Sequence, residues 1–252
     1  MIKQEVIFQD LGNMGYKQAW DFQEKLLREN LEAKSEAGSQ QLSAANMSDQ
    51  AFSATHHKPQ TTNHLLLVEH APVYTLGKSG HAENILISEQ EMESKEIQFY
   101  KTNRGGDITF HGPGQIVGYP ILDLEKFYTD IGRYMRELEE VIMLTIDEYG
   151  ITCGRSAGET GVWLDAGVAG KERKICAMGV RCSRWVTMHG FALNVNTDLS
   201  YFDFIIPCGI QNKKVTSIEK ELGRKISMED AKERIKRNFS KVFDCELIVP
   251  RL

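Results

Sequence analysis

One long amphipathic segment stands among many short apolar ones, and this arrangement limits the fold more than any other feature of the sequence. Between Thr129 and Tyr149, apolar residues recur every three or four positions, as on a helix with one buried face. Gly150 follows and predicts the end of that helix. The rest of the chain divides into short strand-like runs and shorter helices, without a regular β-α-β alternation. We therefore expect an α+β fold built as one domain, residues 1–252.

Other segments give signals of the same kinds. Ile2–Phe8 has the pattern of a strand and residues 16–34 that of a helix. We predict further strands at 64–70, 72–77, 97–102, 118–124, 161–165, 174–181, 185–195 and 246–249. Helix starts are predicted at Ser88 with Glu91, at Thr216 with Glu219, and at Ser227.

The segment from Glu36 to Asn63 differs from its surroundings. It is rich in Gln, Ser, Ala, Asn, Thr and His, and it contains no Ile, Val, Trp or Tyr. Such a segment buries too little apolar area to offset the entropy lost on ordering. We predict a mobile loop or insertion here. His56 and His57 lie inside it, but adjacent side chains do not converge well on one metal ion.

Composition excludes several classes of protein. Lys and Arg number 30 against 35 Asp and Glu, which gives a net charge of −5 and no support for bulk nucleic-acid binding. Apolar runs such as Leu65–Val68 are far shorter than the roughly 18 residues of a membrane span, and the N-terminus lacks a secretory signal. Five cysteines without a C-x-x-C argue against a disulfide framework or zinc ribbon. We expect an enzyme-sized cytoplasmic protein.

Residues Arg104 to Gln115 form the densest cluster of polar side chains and glycines. Four glycines here indicate a sharp turn or a close approach of the backbone to another group. A tight turn between two strands is the simpler interpretation. However, a turn rarely needs Arg, Thr, His and Gln together, so we favour a binding loop. The pattern of a phosphate-binding Walker loop is absent from this segment.

Two strand-like segments offer further candidates. Lys174, Cys176 and Met178 would share one face of a strand, and a lysine on an inward face has a lowered pKa suited to proton transfer. A lysine at a strand edge that points to water is an equal alternative. In His189–Asn196, the small Gly190 and Ala192 leave room for a ligand, although close strand packing explains them better from the local pattern alone.

Cys208 is the cysteine whose setting differs most from a core position. It lies between Pro207 and Gly209, in a stretch that looks like a loop after an apolar run. An exposed cysteine beside a base is a candidate nucleophile, whereas a lone cysteine is more often a small buried apolar residue. The other four cysteines have apolar or strand-like neighbours, and we interpret them as core: Cys153, Cys176, Cys182 and Cys245.

Taken in order, these clusters resemble the lipoyl(octanoyl) transferases, the lipoate-protein ligase B family. The R-G-G-x-x-T-aromatic-H-G-P-G-Q signature stands at 104–115, with Tyr119 in place. The lysine motif stands at 174–179, H-G-x-A-L-N-V-N at 189–196 and P-C-G at 207–209. The resemblance extends over about 65–217. It implies a fold shared with lipoate and biotin protein ligases, which has a large mixed sheet and a smaller sheet flanked by helices.

The resemblance also implies a reaction. An octanoyl group passes from octanoyl-acyl carrier protein to a specific lysine of lipoyl domains, in 2-oxoacid dehydrogenases or the glycine cleavage H protein. The implied catalytic residues are Cys208, which carries the acyl group as a thioester, and Lys174. The implied substrate-binding residues are Arg104, Gly105, Gly106, Asp107, Ile108, Thr109, Phe110, His111, Ala177, Met178, Gly179, Gly190, Phe191 and Ala192.

Three other functions stay open at this point. An ATP-dependent lipoate or biotin protein ligase would share the fold but use a nucleotide and no essential cysteine. A carrier-binding protein without turnover and a Cys/His metal-binding module are less well supported by the motifs.

Two finer expectations concern the substrates. An apolar slot for the acyl chain is predicted from Tyr74, Phe110, Met178 and Phe191, and Phe191 stands where leucine is common in the family. Because both protein substrates are acidic in kind, we also predict a basic patch on the surface. Its predicted members are Arg104, Arg155, Arg173, Arg181, Lys213 and Lys214.

Overall fold

The computed structural model describes residues 3–45, 60–206 and 214–250. Its strands are β1 (Gln4–Asn13), β2 (His64–Glu69), β3 (Val73–Leu76), β4 (Gln98–Lys101), β5 (Ile108–His111), β6 (Gln115–Ile121), β7 (Val162–Leu164), β8 (Arg173–Ser183), β9 (Val186–Asn194), β10 (Lys214–Val215) and β11 (Cys245–Ile248). Its α-helices are α1 (Tyr16–Ala45), α2 (Glu89–Ser94), α3 (Ile131–Asp147), α4 (Ile218–Leu222) and α5 (Met228–Val242). Three short 3₁₀ turns lie at Ala82–Asn84, Leu124–Lys126 and Leu199–Phe204.

Eight of these strands form one mixed sheet. Its order is β10-β8-β9-β6-β2-β1-β11, and β7 pairs with β8 off this path. The central strands β2, β6, β9 and β8 pair with one another in antiparallel fashion, whereas β1 is parallel to both β2 and β11. The large sheet thus brings β6, β9 and β8, which carry most of the sequence motifs, side by side.

Helices cover both faces of the large sheet. Strand β2 shows why, because its successive side chains alternate between two cores. Leu65 and Leu67 pack in the core that contains α3 and α5, while Leu66 and Val68 pack in the core that contains α1. All four have no exposed surface. A strand that is buried on both sides reads as a continuous apolar run, as the sequence does here.

The smaller sheet has three strands in the order β4-β3-β5. Strand β3 is parallel to β4 and antiparallel to β5. Its apolar face packs against α2 and the Leu199–Phe204 turn, where the Tyr74 hydroxyl donates to the Tyr201 carbonyl at 2.6 Å. The two sheets and their flanking helices confirm the predicted α+β class.

Helix α1 extends into the polar segment as far as Ala45, so the prediction of a loop from Glu36 onward is wrong for residues 36–45. Glutamate, glutamine and alanine in this stretch favour helix. At the other end, Asn30 exchanges two hydrogen bonds with the backbone of Thr62. Thr61 and Asn63 are buried. His56 and His57 lie outside the described residues.

Most predicted boundaries agree with the structure to within a few residues. The capping box of Ser88 and Glu91 is confirmed, and Ser227 caps α5. The predicted cap of α4 is wrong by one position: Ser217 accepts from the Lys220 amide, while the Thr216 hydroxyl donates to Glu221 instead. In the described ranges, no helix combines the length and the apolar character that a membrane crossing requires.

Candidate active site

A cavity opens between the two sheets, where the small sheet meets β6, β8 and β9. Its walls carry residues from the three motif regions that the structure describes, 104–115, 174–179 and 189–196, among them Arg104, His111, Lys174 and Phe191. Of the predicted substrate-binding residues, all but Gly105 and Phe110 line it. The fold therefore brings the predicted residues together, although they are far apart in sequence.

Glycines allow the loop before β5 to lie directly on β8. The Gly105 amide donates to the Val180 carbonyl at 2.9 Å. A Cβ atom on Gly179 would lie 2.6 Å from the Gly105 carbonyl oxygen, and one on Gly77 would lie 2.2 Å from that of Gly106. A side chain on Gly179 would push the loop away from β8, and one on Gly77 would push it away from the end of β3, so these glycines allow the loop to pack between them.

Arg104 places a buried guanidinium at the cavity wall. The residue is 8% exposed. Its guanidinium donates to the Thr75 carbonyl at 2.5 Å, to the Thr75 hydroxyl at 2.9 Å and to the Gly105 carbonyl at 2.9 Å. Hydrogen bonds to oxygen atoms offset the cost of burying this charge, so Arg104 holds the loop against β3.

Three buried histidines, His70, His111 and His189, are each neutral near pH 7. Burial lowers the pKa of His70 to about 4 and that of His111 to about 3; for His111, the nearby His70 and Arg104 lower the pKa further. Burial, together with Arg104 and Arg181, lowers the pKa of His189 to about 3. None of the three is suited to hold a proton during turnover at neutral pH.

His189 also has an unusual backbone. Its φ is +60°, a region that costs a non-glycine residue about 1–3 kcal/mol. The surrounding contacts enforce it, since its amide donates to Gln23 Oε1 at 3.0 Å and its Nε2 lies 2.7 Å from Asn103 Oδ1. Asn103 in turn donates to Glu24 at 2.8 Å. Helix α1 thereby fixes the residue that precedes Arg104.

Helix α1 contributes Tyr16 to the cavity, which the sequence pattern did not indicate. The Tyr16 ring stacks on that of His111, with centroids 5.9 Å apart and 10° between the planes. Burial raises the pKa of Tyr16 to about 12. Tyr16 shares the buried face of α1 with the apolar Ala19 and Leu26 and with two polar residues, Gln23 and Asn30.

Lys174 lines the cavity. Of the two placements that the sequence left open, an inward face or a strand edge that points to water, the structure thus shows the first. Its Nζ lies 4.5 Å from the centroid of the buried Trp163 ring. The predicted common face with Cys176 is wrong. The pairing of β7 with β8 shifts by one residue between Val162 and Trp163, and both Ile175 and Cys176 lie in the core beside α3. A β-bulge of this kind re-aims a side chain, here that of Lys174.

Cys208 lies outside the described residues, as do Pro207 and Gly209. The described chain stops at Ile206, whose amide donates to the Asn84 carbonyl, and resumes at Lys214 in β10. In β10, Val215 pairs with Lys174. The described residues before and after this segment thus lie beside Asn84 and in β10, which pairs with β8 at Arg173 and Lys174.

The remaining cysteines are poor nucleophiles. Burial raises the pKa of Cys153 to about 11 and of Cys245 to about 12, and it raises that of Cys176 further. Cys182 is exposed near the β8–β9 turn, so its assignment to the core is wrong, but desolvation raises its pKa too. A thiolate at neutral pH is therefore not favoured at any of these four positions.

The members of the predicted basic patch that the structure describes do not form one. Arg104 is buried, and three other arginines are paired with carboxylates: Arg155 with Glu139 and Glu140, Arg173 with Asp165 and Glu221, and Arg181 with Glu24. Lys214 is exposed, and Lys213 lies outside the described residues. The prediction failed for these arginines because it took no account of the acidic residues that lie beside them in the fold.

Two of the four predicted slot residues line the cavity. Met178 and Phe191 do, whereas Tyr74 and Phe110 pack inside the small-sheet core. The Phe110 ring stacks on Tyr201 with centroids 4.6 Å apart. Along β5 the side chains alternate, so Thr109 and His111 face the cavity and Phe110 faces away from it. The expectation that Tyr74 and Phe110 line the slot is wrong.

Comparison with known proteins identifies the family of this site. Residues 43–240 match the model of the lipoyl protein ligase A/B catalytic domain. An octanoyltransferase of Flavobacterium psychrophilum is 56% identical over 241 residues, which cover 95% of this chain and 97% of that protein. An octanoyltransferase of Christiangramia forsetii is 54% identical, and the alignment covers 98% of this chain and 99% of that protein. The chain belongs to the lipoyl protein ligase A/B family. Because its relatives at this level of identity are octanoyltransferases, this chain is an acyltransferase that transfers octanoyl groups in protein lipoylation.

Solved structures confirm the fold. A bipartite lipoate protein ligase of Thermoplasma acidophilum superposes with a TM-score of 0.66 at 15% identity, covering 99% of this chain and 88% of that one. A lipoate-protein ligase A crystallised with ATP gives a TM-score of 0.65 at 13% identity, covering 100% and 90%. The predicted lipoate-ligase-like architecture is therefore confirmed, while the chemistry of this chain depends on its own residues.

Proposed function

We propose that this enzyme takes octanoyl from octanoyl-acyl carrier protein and passes it to a specific lysine of lipoyl domains. Cys208 carries the acyl group as a thioester, and Lys174 moves the protons. Lipoyl domains of 2-oxoacid dehydrogenases and the glycine cleavage H protein are the acceptors. The placement of Lys174 in one cavity with the Arg104–His111 loop carries this proposal, because it joins a proton carrier to an enclosed slot.

The first step exchanges one thioester for another. Lys174 as a cation favours the Cys208 thiolate, since a nearby positive charge lowers a thiol pKa. The thiolate sulfur attacks the octanoyl carbonyl carbon, and the carbon–sulfur bond to the carrier breaks. Lys174 gives its proton to the departing carrier sulfur. The products are octanoyl-Cys208, neutral Lys174 and the free carrier thiol, so the step is nearly balanced in free energy.

The second step forms an amide. Neutral Lys174 accepts a proton from the ammonium group of the lipoyl-domain lysine, whose nitrogen then attacks the acyl carbon. The bond from that carbon to Cys208 breaks, and the thiolate returns beside the Lys174 cation. A second proton leaves the new amide nitrogen to solvent. An amide is more stable than a thioester, so this step runs downhill and needs no ATP.

Met178, Phe191 and Ala192 give the cavity an apolar portion suited to the acyl chain. Burying a methylene group contributes about 0.8 kcal/mol, so six of them contribute roughly 5 kcal/mol of affinity. The polar portion, at Arg104 and His111, lies toward the reacting carbonyl in this proposal. We further propose that residues 1–252 act as one catalytic domain in the cytoplasm, without a metal or other cofactor.

Intact-protein mass after mixing with octanoyl-acyl carrier protein, without ATP, tests the proposal. We expect an octanoyl adduct on the wild type that a lipoyl domain discharges. Cys208→Ser should form no thioester, and Lys174→Met should form it at least about 100-fold more slowly. Cys182→Ser is the matched control and should behave like the wild type. Transfer that requires octanoate and ATP, with no adduct in their absence, would assign the chain to the ligases instead.

A further inference from the structure

A chain of buried hydrogen bonds runs along the cavity wall from the glycine loop toward Lys174. The Arg104 guanidinium donates to the Thr75 hydroxyl at 2.9 Å, and that oxygen lies 3.2 Å from His111 Nε2. On the other side of the ring, His111 Nδ1 lies 2.8 Å from Gln115 Oε1. This first half links the loop, β3, β5 and β6.

The second half crosses to β10. Gln115 Nε2 donates to Asn194 Oδ1 at 2.9 Å, and Asn194 Nδ2 donates to the Thr216 carbonyl at 3.0 Å. The Thr216 amide donates to the Lys174 carbonyl at 2.9 Å. We call this set the relay; its members are Arg104, Thr75, His111, Gln115, Asn194 and Thr216.

The donors and acceptors of the relay have a fixed direction. A guanidinium can only donate, so the Thr75 hydroxyl accepts from Arg104 and has its own proton for His111 Nε2. The Gln115 amide nitrogen donates to the Phe110 carbonyl and to Asn194, so Gln115 Oε1 accepts from His111 Nδ1. His111 is therefore the neutral tautomer with its proton on Nδ1, and both ring nitrogens are occupied.

The groups around His111 favour this neutral state. Tyr16 from α1 stacks on the ring, His70 lies 6.0 Å away by centroids, and Arg104 acts across Thr75. His189 on β9 also lowers the pKa of His111, by less than Arg104 does. Burial and these neighbours lower the pKa of His111 to about 3. A second proton, on Nε2, would face the Thr75 hydroxyl that donates to this nitrogen in the neutral state.

The far end of the relay is held from a second side. The Thr216 hydroxyl donates to Glu221 at 2.5 Å, and Arg173 donates twice to the same carboxylate at 2.7 Å. Strand β10 pairs with β8 at Arg173 and Lys174. Since β10 has only two residues, side-chain bonds from Asn194 and Glu221 supply much of what fixes it beside Lys174.

We propose that His111 and Asn194 are positioning residues that hold β10 against Lys174, and that His111 neither accepts nor gives up a proton during octanoyl transfer. This inference rests on the proposed role of Lys174. A histidine within a binding motif is an obvious candidate for the general base. The hydrogen bonds of the relay assign His111 a positioning role instead. Loss of the relay should lower kcat through misplacement of Lys174, because a shift of about 1 Å can cost on the order of 100-fold in rate.

Steady-state kinetics of octanoyl transfer between about pH 6 and 9 test the proposal. We expect Asn194→Ala to lower kcat about 10- to 100-fold, with less than about a threefold change in KM for the carrier. His111→Asn retains a donor at the Nδ1 position, so it should keep at least about tenfold more activity than His111→Ala. Asn238→Ala, which removes a buried asparagine between α3 and α5, is the matched control and should keep the wild-type kcat.

A second measurement uses the wild-type enzyme. Carbon and nitrogen NMR shifts of labelled histidine distinguish the two neutral tautomers and the cation. His111 should remain in the Nδ1–H form from about pH 8 to pH 5, since its pKa lies well below that range. Assignment needs only the His111→Asn spectrum, in which one signal disappears.

The possible results separate this inference from the proposed function. Titration of His111 near neutrality, loss of a pH limb in His111→Asn, or a kcat change under about threefold in Asn194→Ala would each overturn the positioning role. Absence of an octanoyl-Cys208 adduct on the wild type overturns the proposed function instead. The ratios of kcat among the variants are interpretable whether or not that adduct forms, because they refer to octanoyl transfer itself.

Discussion

Gly118 and Phe191 face each other on paired strands, and we predict that their substitutions compensate. They are register partners between β6 and β9. A Cβ atom on Gly118 would lie 2.1, 2.4 and 2.7 Å from three ring carbons of Phe191, where a relaxed contact needs about 3.5 Å. Phe191 is 2% exposed, so its ring has little space to move away. Gly118→Ala therefore forces a shift of about 1 Å or more in the core.

The magnitudes follow from this geometry. Overpacking of a well-packed core costs about 1–3 kcal/mol, and the severe overlap places Gly118→Ala near the upper end. Phe191→Leu removes buried carbons and should cost about 1–2 kcal/mol alone. In the double variant, the methyl group that Gly118→Ala introduces occupies space that the ring vacated. The double variant should therefore be no less stable than Phe191→Leu, with a coupling of about −3 kcal/mol.

Urea unfolding of the four proteins, followed by circular dichroism, measures this coupling. Gly190→Ala is the control, since its Cβ would lie 2.2 Å from the Gly118 carbonyl oxygen, and Phe191→Leu should not rescue a clash with backbone. Additive free energies of unfolding in the Gly118/Phe191 cycle would refute the packing argument.

The same pair reports on the acyl chain. If Phe191 borders the slot, Phe191→Leu should favour a longer acyl group, with two more methylenes, over octanoyl relative to the wild type. Those two methylenes correspond to roughly 1.6 kcal/mol, or up to about 15-fold in the ratio of kcat/KM. Gly118→Ala in the same background should reduce the gain. An unchanged ratio would mean that the chain ends elsewhere in the cavity.

Three further predictions concern stability. Glu96 has φ of +54° just after α2, so Glu96→Gly should raise the free energy of unfolding by about 1 kcal/mol in urea titrations, while Glu96→Ala should not. Glu139 is fully buried and accepts hydrogen bonds from Arg155 and the Gly161 amide. Glu139→Ala should lower the free energy of unfolding by about 3 kcal/mol. An effect under about 1 kcal/mol would show that the ion pair is dispensable. Four histidines have folded pKa values of about 3 or 4: His64, His70, His111 and His189. Because an unfolded histidine titrates near about 6.5, stability should be full above that pH and fall below it by up to about 1.4 kcal/mol per histidine per pH unit. His70→Gln should reduce that slope by one proton, and a flat profile between about pH 6.5 and 5 would contradict the neutral assignments.

The sequence contained enough information for the elements but not for every contact between them. Helix α3 and strand β2 were predictable because their apolar spacing reflects one buried face and two buried faces respectively. The placement of Lys174 was not predictable, since it depends on a bulge that shifts the alternation of β8 by one residue. Likewise, the pairing of Arg173 with Glu221 joins residues 48 positions apart, and no local pattern records it.

The glycines of the motifs illustrate why a site can be recognised before it is understood. Their density in residues 104–115 predicted a sharp turn or a close approach of the backbone to another group. In the structure, Gly179 and Gly77 allow the loop of Arg104 to lie against β8 and β3, and Gly190 allows β9 to approach β6, as close strand packing predicted. Close packing of backbone is therefore what these glycines provide directly. The cavity follows as a consequence, because only sheets that meet this closely can bury Arg104 and the neutral histidines beside Lys174 while leaving an apolar slot between them.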